Sequence, residues 1–249
     1  MYSIVKQIIL AAFIFAISVT NTNAQELDIG VYYGRFYSPY KYIDYGTGYR
    51  STPRANYNFF PSFVVNKYYS SKLSVEMSAF LTLYRQYYGT RKYGAAFASS
   101  YGAGHLAFRI GYSIIRDKKL EFRTKIGLAL GVSPDMYEGE YTEIFVDPYV
   151  DSISRGTIKR NFTPVFPMIS TGIDFSYKVA KRFKVSLAAN YQKGFIKITQ
   201  YDIYYNDGSG SNDQRAKQWG TGDFYGVQLG LRYLLRDEKG NKFGNKKRK

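Results

Sequence analysis

Charged residues recur on one face of several apolar stretches in this chain. In residues 72–89, KLSVEMSAFLTLYRQYYG, apolar residues occupy every second position from Leu73 to Leu83, and Glu76 lies on the alternate set. Successive side chains of a strand point to opposite faces, so this spacing predicts a strand with one apolar and one polar face. Further ionisable residues share the polar faces of other segments: Arg109, Glu121, Arg123, Lys125, Asp174, Lys178, Lys184 and Arg232.

These charges could form ion pairs if their faces met in one interior. A charge that is removed from water is costly unless an opposite charge lies beside it. The predicted members of a structural polar network are Glu76, Arg109, Arg123, Lys125, Asp174 and Arg232. We expect Glu76 and Asp174 to accept hydrogen bonds from the neighbouring cations. An ion pathway or a proton relay is the alternative use of such residues.

His105 is the one histidine in the chain and could serve as a general base. A histidine can activate a serine for acyl transfer, which would suit a lipid A deacylase or acyltransferase. The nearest preceding serines are Ser99 and Ser100, Ala107 stands two residues after the histidine, and no orienting acid is identifiable. We therefore predict no catalytic residue and no enzyme, with a lipid-modifying enzyme as the alternative.

The segment 133–160 carries six acids, whose carboxylate oxygens are of the kind that binds Ca²⁺. Their spacing lacks the regularity of an EF-hand, so we predict neither a metal site nor a cofactor. The same segment contains TEIFV and SISRGTIK, which would extend a barrel as a hairpin. That hairpin leaves ten strands as the alternative to eight.

Eight segments share the alternating pattern with varying clarity. They are 27–34, 58–69, 72–89, 105–114, 120–132, 169–178, 183–192 and 225–235. Three short connections, at 70–72, 117–119 and 180–182, interleave with four long ones. The long connections are 38–56, 89–103, 133–160 and 201–222. Strict alternation of short and long connections predicts an antiparallel up-and-down meander, with all short turns at one end.

The polar faces are rich in small residues, such as Gly127, Gly172 and Gly230. Glycine that faces bulk water in a strand gains no packing, whereas glycine that faces a narrow lumen leaves room for neighbouring side chains. The apolar faces carry Tyr or Phe near their ends, as membrane interfaces favour. We predict an all-β fold, a transmembrane antiparallel β-barrel of eight strands with its polar face inside. A soluble lipocalin-like ligand-binding barrel in the periplasm, with the faces reversed, is the alternative.

The termini and the composition indicate an exported protein. Residues 1–24 carry Lys6, an apolar run and Ala24, which predicts a signal peptide that is cut after Ala24. The barrel would then occupy residues 25–235, and the basic tail 236–249 would lie in the periplasm. The chain has no cysteine and a net charge of +16. Export argues against nucleic acid as the partner of this charge, and outer-membrane lipid or surface glycolipid is the better candidate.

The long connections are rich in aromatic residues that could contact a protein or a glycan. These residues are Tyr40, Tyr42, Tyr45, Tyr49, Tyr93, Tyr101, Tyr201, Tyr204, Tyr205 and Trp219. Packing of the loops on one another would use the same side chains. We predict a structural or surface-interaction role through these loops.

The signal peptide, the eight alternating segments and the closing stretch FYGVQLGLRYLL resemble the small eight-stranded outer-membrane β-barrel proteins of the outer-membrane protein A type. The resemblance covers residues 26–235 and implies a location in the outer membrane of a Gram-negative bacterium. The chain departs from the pattern because it continues for 14 residues past Leu235 and lacks a peptidoglycan-binding C-terminal domain. A wide porin-like channel is not expected, because an eight-stranded barrel is filled by its own side chains.

Overall fold

The structure is a computed structural model of the 249-residue chain. It describes residues 26–44, 49–51, 55–57, 61–90, 96–133, 139–146, 153–162, 165–206 and 214–236. The predicted signal peptide and residues 237–249 of the predicted tail lie outside the described residues. Across the described ranges, no helix is long and apolar enough to cross a membrane.

The described residues form fifteen strands. They are β1 (Glu26–Tyr37), β2 (Lys41–Asp44), β3 (Tyr49–Ser51), β4 (Ala55–Tyr57), β5 (Ser62–Tyr68), β6 (Leu73–Thr90), β7 (Ala96–Arg116), β8 (Leu120–Val132), β9 (Gly139–Val146), β10 (Ile153–Phe162), β11 (Val165–Lys178), β12 (Phe183–Gly194), β13 (Thr199–Asn206), β14 (Gln214–Gly220) and β15 (Phe224–Arg236).

Eight of these strands close into a barrel. The order around the wall is β1, β5, β6, β7, β8, β11, β12 and β15, and each strand is antiparallel to its neighbours. The barrel closes where β15 pairs with β1, which sets Ile29 opposite Tyr233 and Tyr37 opposite Tyr225. The predicted eight-stranded up-and-down barrel is therefore confirmed, and the ten-stranded alternative is wrong.

The three short connections all lie at one end of the barrel, which we call the turn end. Tyr69 donates its backbone N–H to Leu73, Asp117 to Leu120 and Val179 to Phe183, at N–O distances of 3.0, 2.7 and 3.0 Å. The opposite end, where the longer connections emerge, we call the loop end. All the short turns share an end because every barrel strand reverses direction relative to the strand before it.

Two strand boundaries differ from those expected from the sequence. Pro61 precedes β5 instead of interrupting it, which fits its missing backbone N–H. The expected long connection 89–103 is mostly strand, because β6 and β7 remain paired as far as Gly89 and Ala96. The hairpin of β6 and β7 therefore extends further toward the loop end than the predicted strand 105–114.

A second sheet lies among the longer connections. Its strand order is β2, β14, β13, β10 and β9, and all of its pairs are antiparallel. The expected hairpin in 133–160 forms as β9 and β10, with Ile153 opposite Val146. Because this hairpin pairs with β13 in the second sheet, it does not add two strands to the barrel.

The two faces of the barrel wall are opposite in character. On β12, Leu187 is 52% exposed on the exterior, while its neighbour Ser186 is fully buried in the interior. Exterior residues of β8 are exposed in the same way, with Leu128 at 67% and Ile126 at 61%. An apolar exterior and a buried polar interior reverse the arrangement of a lipocalin-like barrel. The soluble alternative is therefore wrong.

Glycines on the interior face make room for large side chains. A Cβ atom on Gly230 would lie 2.4 Å from the ring of Tyr32, and one on Gly131 would lie 2.1 Å from the ring of Phe166. Both distances are far below van der Waals contact. The glycine-rich polar faces thus fit a narrow and filled lumen.

A β-bulge changes the phase of β7 near the turn end. Ser113 pairs with Arg123 and Ile115 pairs with Phe122, so Ile114 has no opposite residue. Ile114 and Ile115 are both exposed, at 54% and 49%. The extra residue turns the following side chain, Arg116, toward the interior.

Candidate functional site

Glu76 on β6 lies fully buried inside the barrel, surrounded by three cations. Its Oε1 is 2.6 Å from Nη2 of Arg109 and 3.2 Å from Nζ of Lys125, while its Oε2 is 2.7 Å from Nη2 of Arg123. Arg109 lies on the neighbouring strand β7, whereas Arg123 and Lys125 lie on β8. Both carboxylate oxygens thus accept charge-assisted hydrogen bonds.

Arg123 joins Glu76 to a second carboxylate across the lumen. Its Nη2 also donates to Oδ2 of Asp174 on β11 at 3.0 Å. Its Nη1 donates to Oδ1 of Asn66 at 2.8 Å and to Oγ of Ser74 at 3.0 Å. Arg123 on β8 therefore connects β5, β6 and β11 through one buried guanidinium.

A second arginine occupies the layer below, closer to the turn end. Arg232 on β15 binds Asp28 on β1 with two donors: Nε reaches Oδ1 at 3.0 Å, and Nη2 reaches Oδ2. Its Nη1 lies 3.6 Å from Oδ2 of Asp174, which links the two layers. Nη2 also donates to Oη of Tyr68 at 2.8 Å, and Tyr68 donates in turn to Glu121 at 2.8 Å.

A third layer of charges lies at the turn end. Glu26 accepts from Arg116 at 2.9 Å and from Lys184 at 2.5 Å, and Lys184 also lies 3.5 Å from Glu121. The guanidinium of Arg116 is stacked 4.0 Å above the centre of the Tyr68 ring. The cation–π contact and the salt bridge hold Arg116 in place.

The network becomes uncharged toward the loop end. Arg109 donates from Nη1 to Oδ1 of Asn190 at 2.7 Å, Asn190 donates to Gln228 at 2.9 Å, and Gln228 donates to Ser62 at 2.7 Å. This chain of amides and hydroxyls crosses the lumen between β12, β15 and β5. It separates the charged layers from the apolar layer above.

Aromatic rings fill the lumen beyond these amides. The buried members of this layer include Phe36, Phe80, Tyr84, Phe166, Met168, Ile198 and Phe224. Phe36 and Phe224 meet edge to face at 5.2 Å between ring centres, and Phe80 meets Phe224 in the same way at 5.6 Å. We refer to this set as the aromatic layer.

His105 lies within the aromatic layer and is fully buried. Its ring is stacked on Phe80 at 4.9 Å and meets Phe224 edge to face at 5.3 Å. Its Nε2 lies 3.4 Å from Oη of Tyr84, which also donates to the carbonyl of Gly222 at 3.2 Å. The ring contacts therefore fit a packed interior residue.

The interior leaves little room for water. A cavity of about 10 Å³ lies between the amide layer and the aromatic layer, bordered by Phe80, Arg109 and Gln192. A second cavity of about 10 Å³ lies at the turn end, and Lys178 is among its lining residues. Each could hold about one water molecule. In the described part of the lumen, side chains bind one another instead of surrounding a channel.

The six residues that the sequence analysis assigned to a polar network all point into this interior. Glu76, Arg109, Arg123 and Lys125 meet directly, and Arg123 also contacts Asp174. Arg232 lies in the next layer, where its main partner is Asp28. Asp28 faces inward on β1, although the first segment alternates less cleanly than the others.

Sequence reasoning missed several partners in this network. They are Glu26, Asp28, Asn66, Tyr68 and Arg116. Asp28 and Asn66 do occupy the polar set of their strands, so the two-residue period could have found them. Arg116 could not be found in this way, because strict alternation puts it on the exterior with Tyr112 and Ile114.

The loop residues singled out above are only partly within the described ranges. Glu138, Asp147 and Asp151 of the acidic segment lie outside them, as do Tyr45 and Tyr93. Among the residues that the structure does describe, no group of three His, Cys, Asp or Glu side chains is placed to hold a metal ion. The backbone of β13 places Tyr201, Tyr204 and Tyr205 in the second sheet.

Comparison with known proteins finds outer-membrane proteins among the solved structures. No family model matches the chain, and no curated protein matches it. The outer membrane protein OprG from Pseudomonas aeruginosa aligns with 85% of this chain and 96% of its own, at 11% identity and a TM-score of 0.55. The outer membrane protein AlkL, solved in lipid bilayers, aligns over 86% of this chain and 92% of the AlkL chain, at 12% identity and a TM-score of 0.45. Ail of Yersinia pestis, solved with the heparin analogue sucrose octasulfate, aligns over 84% of this chain and 99% of the Ail chain, at 10% identity and a TM-score of 0.36.

At this level of identity the likeness to OprG concerns the fold alone. The barrel wall adds its own physical evidence, because spanning strands in lipid must pair on both sides and turn apolar side chains outward. The apolar exterior, the charged interior and the shared fold together make this chain a small eight-stranded β-barrel of the bacterial outer membrane.

Proposed function

We propose that the protein is a non-enzymatic outer-membrane barrel with a sealed lumen, which acts as a structural or surface-interaction protein. The observation that carries this proposal is the succession of layers across the lumen. Three charged layers, one layer of amides and the aromatic layer follow one another between the turn end and the loop end. A solute or an ion would have to break several of these contacts to cross.

The orientation in the membrane is part of the same proposal. In bacterial outer-membrane barrels, short turns face the periplasm and longer loops face the outside. The turn end, with its three short connections, would therefore lie in the periplasm. The second sheet, with β13 and β14, would then stand outside the cell, where it could contact a protein or a glycan.

Solute flux through proteoliposomes tests the sealed lumen. Folded protein is reconstituted at known density, and the efflux of a trapped disaccharide and of a small amino acid is followed. We expect both rates to equal those of liposomes without protein. A wide porin that is reconstituted at the same density supplies the positive control for efflux. Efflux through the unaltered protein that rises with protein density would contradict the proposal.

Cleavage of intact cells tests the orientation. One variant carries a protease site between Asn206 and Gln214, and a second carries the same site in the turn at Lys118. We expect protease added outside the cells to cut only the first variant, and to cut both after the outer membrane is opened. Cleavage of only the turn variant on intact cells would reverse the assignment.

A further inference from the structure

An open groove lies at the barrel wall where β11, β12, β15 and β1 are adjacent, and its lining also includes Lys125 and Asn190, whose side chains belong to the lumen network. Its volume is about 600 Å³, within the range of ~300–1,000 Å³ that ligand pockets occupy. Thr171 and Ala189 contribute small side chains to its lining, and Tyr37, Tyr191 and Tyr225 contribute large ones. The three tyrosines are 41–50% exposed, so the groove opens to the medium around the barrel.

The shape of the groove follows from the sizes of these side chains. Tyr191 pairs with Tyr225 across β12 and β15, and the Tyr225 ring is stacked on Tyr37 at 5.6 Å. The three tyrosines thus occupy neighbouring positions on β12, β15 and β1 and form an aromatic rim. Thr171 lies opposite Tyr191, and Ala189 lies two residues closer to the turn end on β12, so the wall is low at these two small side chains. Val227 borders the groove on the next strand. An extended hydrocarbon chain fits such an apolar depression between larger side chains.

Arg35 supplies a positive charge at this groove. It is exposed and lines the groove, and it shares the exterior face of β1 with Tyr33 and Tyr37. Arg35 pairs with Val227 of β15, which is one of the apolar residues that line the groove. A charged side chain on the lipid face of a barrel is costly near the middle of the bilayer and tolerable near an interface.

The position of Arg35 along its strand puts it near one interface. It lies nine residues above Glu26, the first residue of β1 at the turn end. Nine residues correspond to roughly 30 Å along the strand and, at a tilt of ~45°, to roughly 21 Å across the membrane. The apolar band of such barrels is about 25 Å tall, so Arg35 lies close to the edge nearer the loop end.

We propose that this groove binds a phosphorylated glycolipid of the outer leaflet, with a phosphate on Arg35 and an acyl chain over Ala189 and Thr171. The inference rests on the proposed orientation, which places the loop end outside. A guanidinium binds phosphate through two parallel hydrogen bonds, and its planar group also stacks on aromatic rings. The tyrosine rim holds the boundary between the headgroup and the acyl chain, where aromatic side chains are favoured.

Binding of a defined glycolipid to the full-length folded protein tests the site. The protein in neutral detergent is mixed with diphosphorylated lipid A, with dephosphorylated lipid A or with phosphatidylglycerol, and native mass spectrometry counts the bound lipid. We expect lipid A with phosphates to bind at least about tenfold more tightly than dephosphorylated lipid A, because charge-assisted contacts have that magnitude. It should also bind more tightly than phosphatidylglycerol, whose phosphodiester carries a single negative charge. Equal binding of the dephosphorylated form or of phosphatidylglycerol would overturn the assignment.

Two variants separate the charge from the groove. Arg35→Gln removes the phosphate partner, and Ala189→Phe fills the depression, so each is expected to weaken lipid A binding about tenfold. Arg35→Lys should recover part of the loss. If Ala189→Phe does not fold, Thr171→Leu fills the same depression. Binding by Arg35→Gln and the filled variant at the level of the unaltered protein would overturn the proposal.

Matched controls guard against effects of bulk and of net charge. Ile110→Phe adds an aromatic ring to the exterior of β7, on the other side of the barrel, where Ile110 is 57% exposed. Lys119→Gln removes one charge from a turn at the opposite end. We expect both to bind lipid A as the unaltered protein does. Losses equal to those of the groove variants would overturn the site and indicate an unspecific response.

This test and the flux test fail in different ways. A leaky lumen would appear as solute efflux. It would not change the difference in lipid A binding between Arg35→Gln and the unaltered protein. A reversed orientation would appear in the cell-cleavage experiment and would move Arg35 to the inner leaflet. Loss of phosphate-selective binding, with no efflux and unchanged cleavage, would refute the glycolipid site alone.

Discussion

The carboxylate of Glu76 on β6 lies 2.7 Å from the guanidinium of Arg123 on β8, although the whole of β7 lies between their strands. The curvature of a narrow eight-stranded wall makes this contact possible, because inward side chains from non-adjacent strands converge on the axis. The same Glu76 binds Arg109 on the intervening strand at 2.6 Å. One carboxylate therefore connects three consecutive strands from the inside.

Replacing Glu76 with Gln should destabilise the folded barrel strongly. The amide keeps the size of the side chain but leaves Arg109, Lys125 and Arg123 without their shared carboxylate. Removal of one member of a buried ion pair typically costs about 3–5 kcal/mol. We expect a lower urea midpoint of unfolding in detergent and a lower temperature at which the compact electrophoretic form is lost. Asp117→Asn, in an exposed turn, is the control and should behave as the unaltered protein.

Asp28 and Arg232 should show a strong energetic coupling. Each single change, Asp28→Asn or Arg232→Gln, leaves the other charge buried with a weakened partner. The double variant removes both charges, so its loss of stability should be smaller than the sum of the two single losses by about 0.5–3 kcal/mol. Urea unfolding of all four proteins completes the cycle. Strictly additive losses would mean that the two side chains do not act as a pair.

The need for small residues on the interior face can be tested by measuring the urea unfolding of glycine variants. Gly230→Ala would bring a methyl group to within 2.4 Å of the Tyr32 ring, which must then shift. We expect a loss of about 1–3 kcal/mol, as for other overpacked interiors. Gly102→Ala is the matched control, because a Cβ atom there meets nothing within 4 Å. Equal stability of the two variants would argue against a filled lumen.

His105 should tolerate replacement by another ring. His105→Phe keeps the stacking on Phe80 and removes both ring nitrogens, so the barrel should fold with a loss below about 3 kcal/mol. Purified unaltered protein should show no deacylation of lipid A, and the variant should show the same. A lipid A deacylation activity that is present in the unaltered protein and lost in His105→Phe would restore the enzymatic alternative.

Much of the barrel could be predicted from the sequence because its rules are local. The two-residue period separated the faces of each strand, and small residues on the polar faces, such as Gly127 and Gly172, indicated which face lies inside. Connection lengths then predicted the order of the strands. None of these inferences required knowledge of which residues meet across the lumen.

The remaining features depend on distant contacts or on local irregularities. Asp28 and Arg232 are separated by 204 positions in the chain, and only closure of the barrel brings them together. The bulge at Ile114 reversed the face of Arg116, which strict alternation places outside. The second sheet pairs β2 with β14, so no single connection shows it in isolation.

The most direct test asks which face of one strand is reached by which reagent, and the chain suits it because it has no cysteine. Ser186→Cys and Leu187→Cys place a thiol on adjacent residues of β12, the first on the buried interior face and the second on the exposed exterior face. In folded protein in lipid vesicles, a membrane-soluble maleimide should label Leu187→Cys. Neither this reagent nor a water-soluble one should label Ser186→Cys until the barrel is unfolded. Rapid labelling of Ser186→Cys by the water-soluble reagent would show an open aqueous lumen and contradict the filled interior around Glu76.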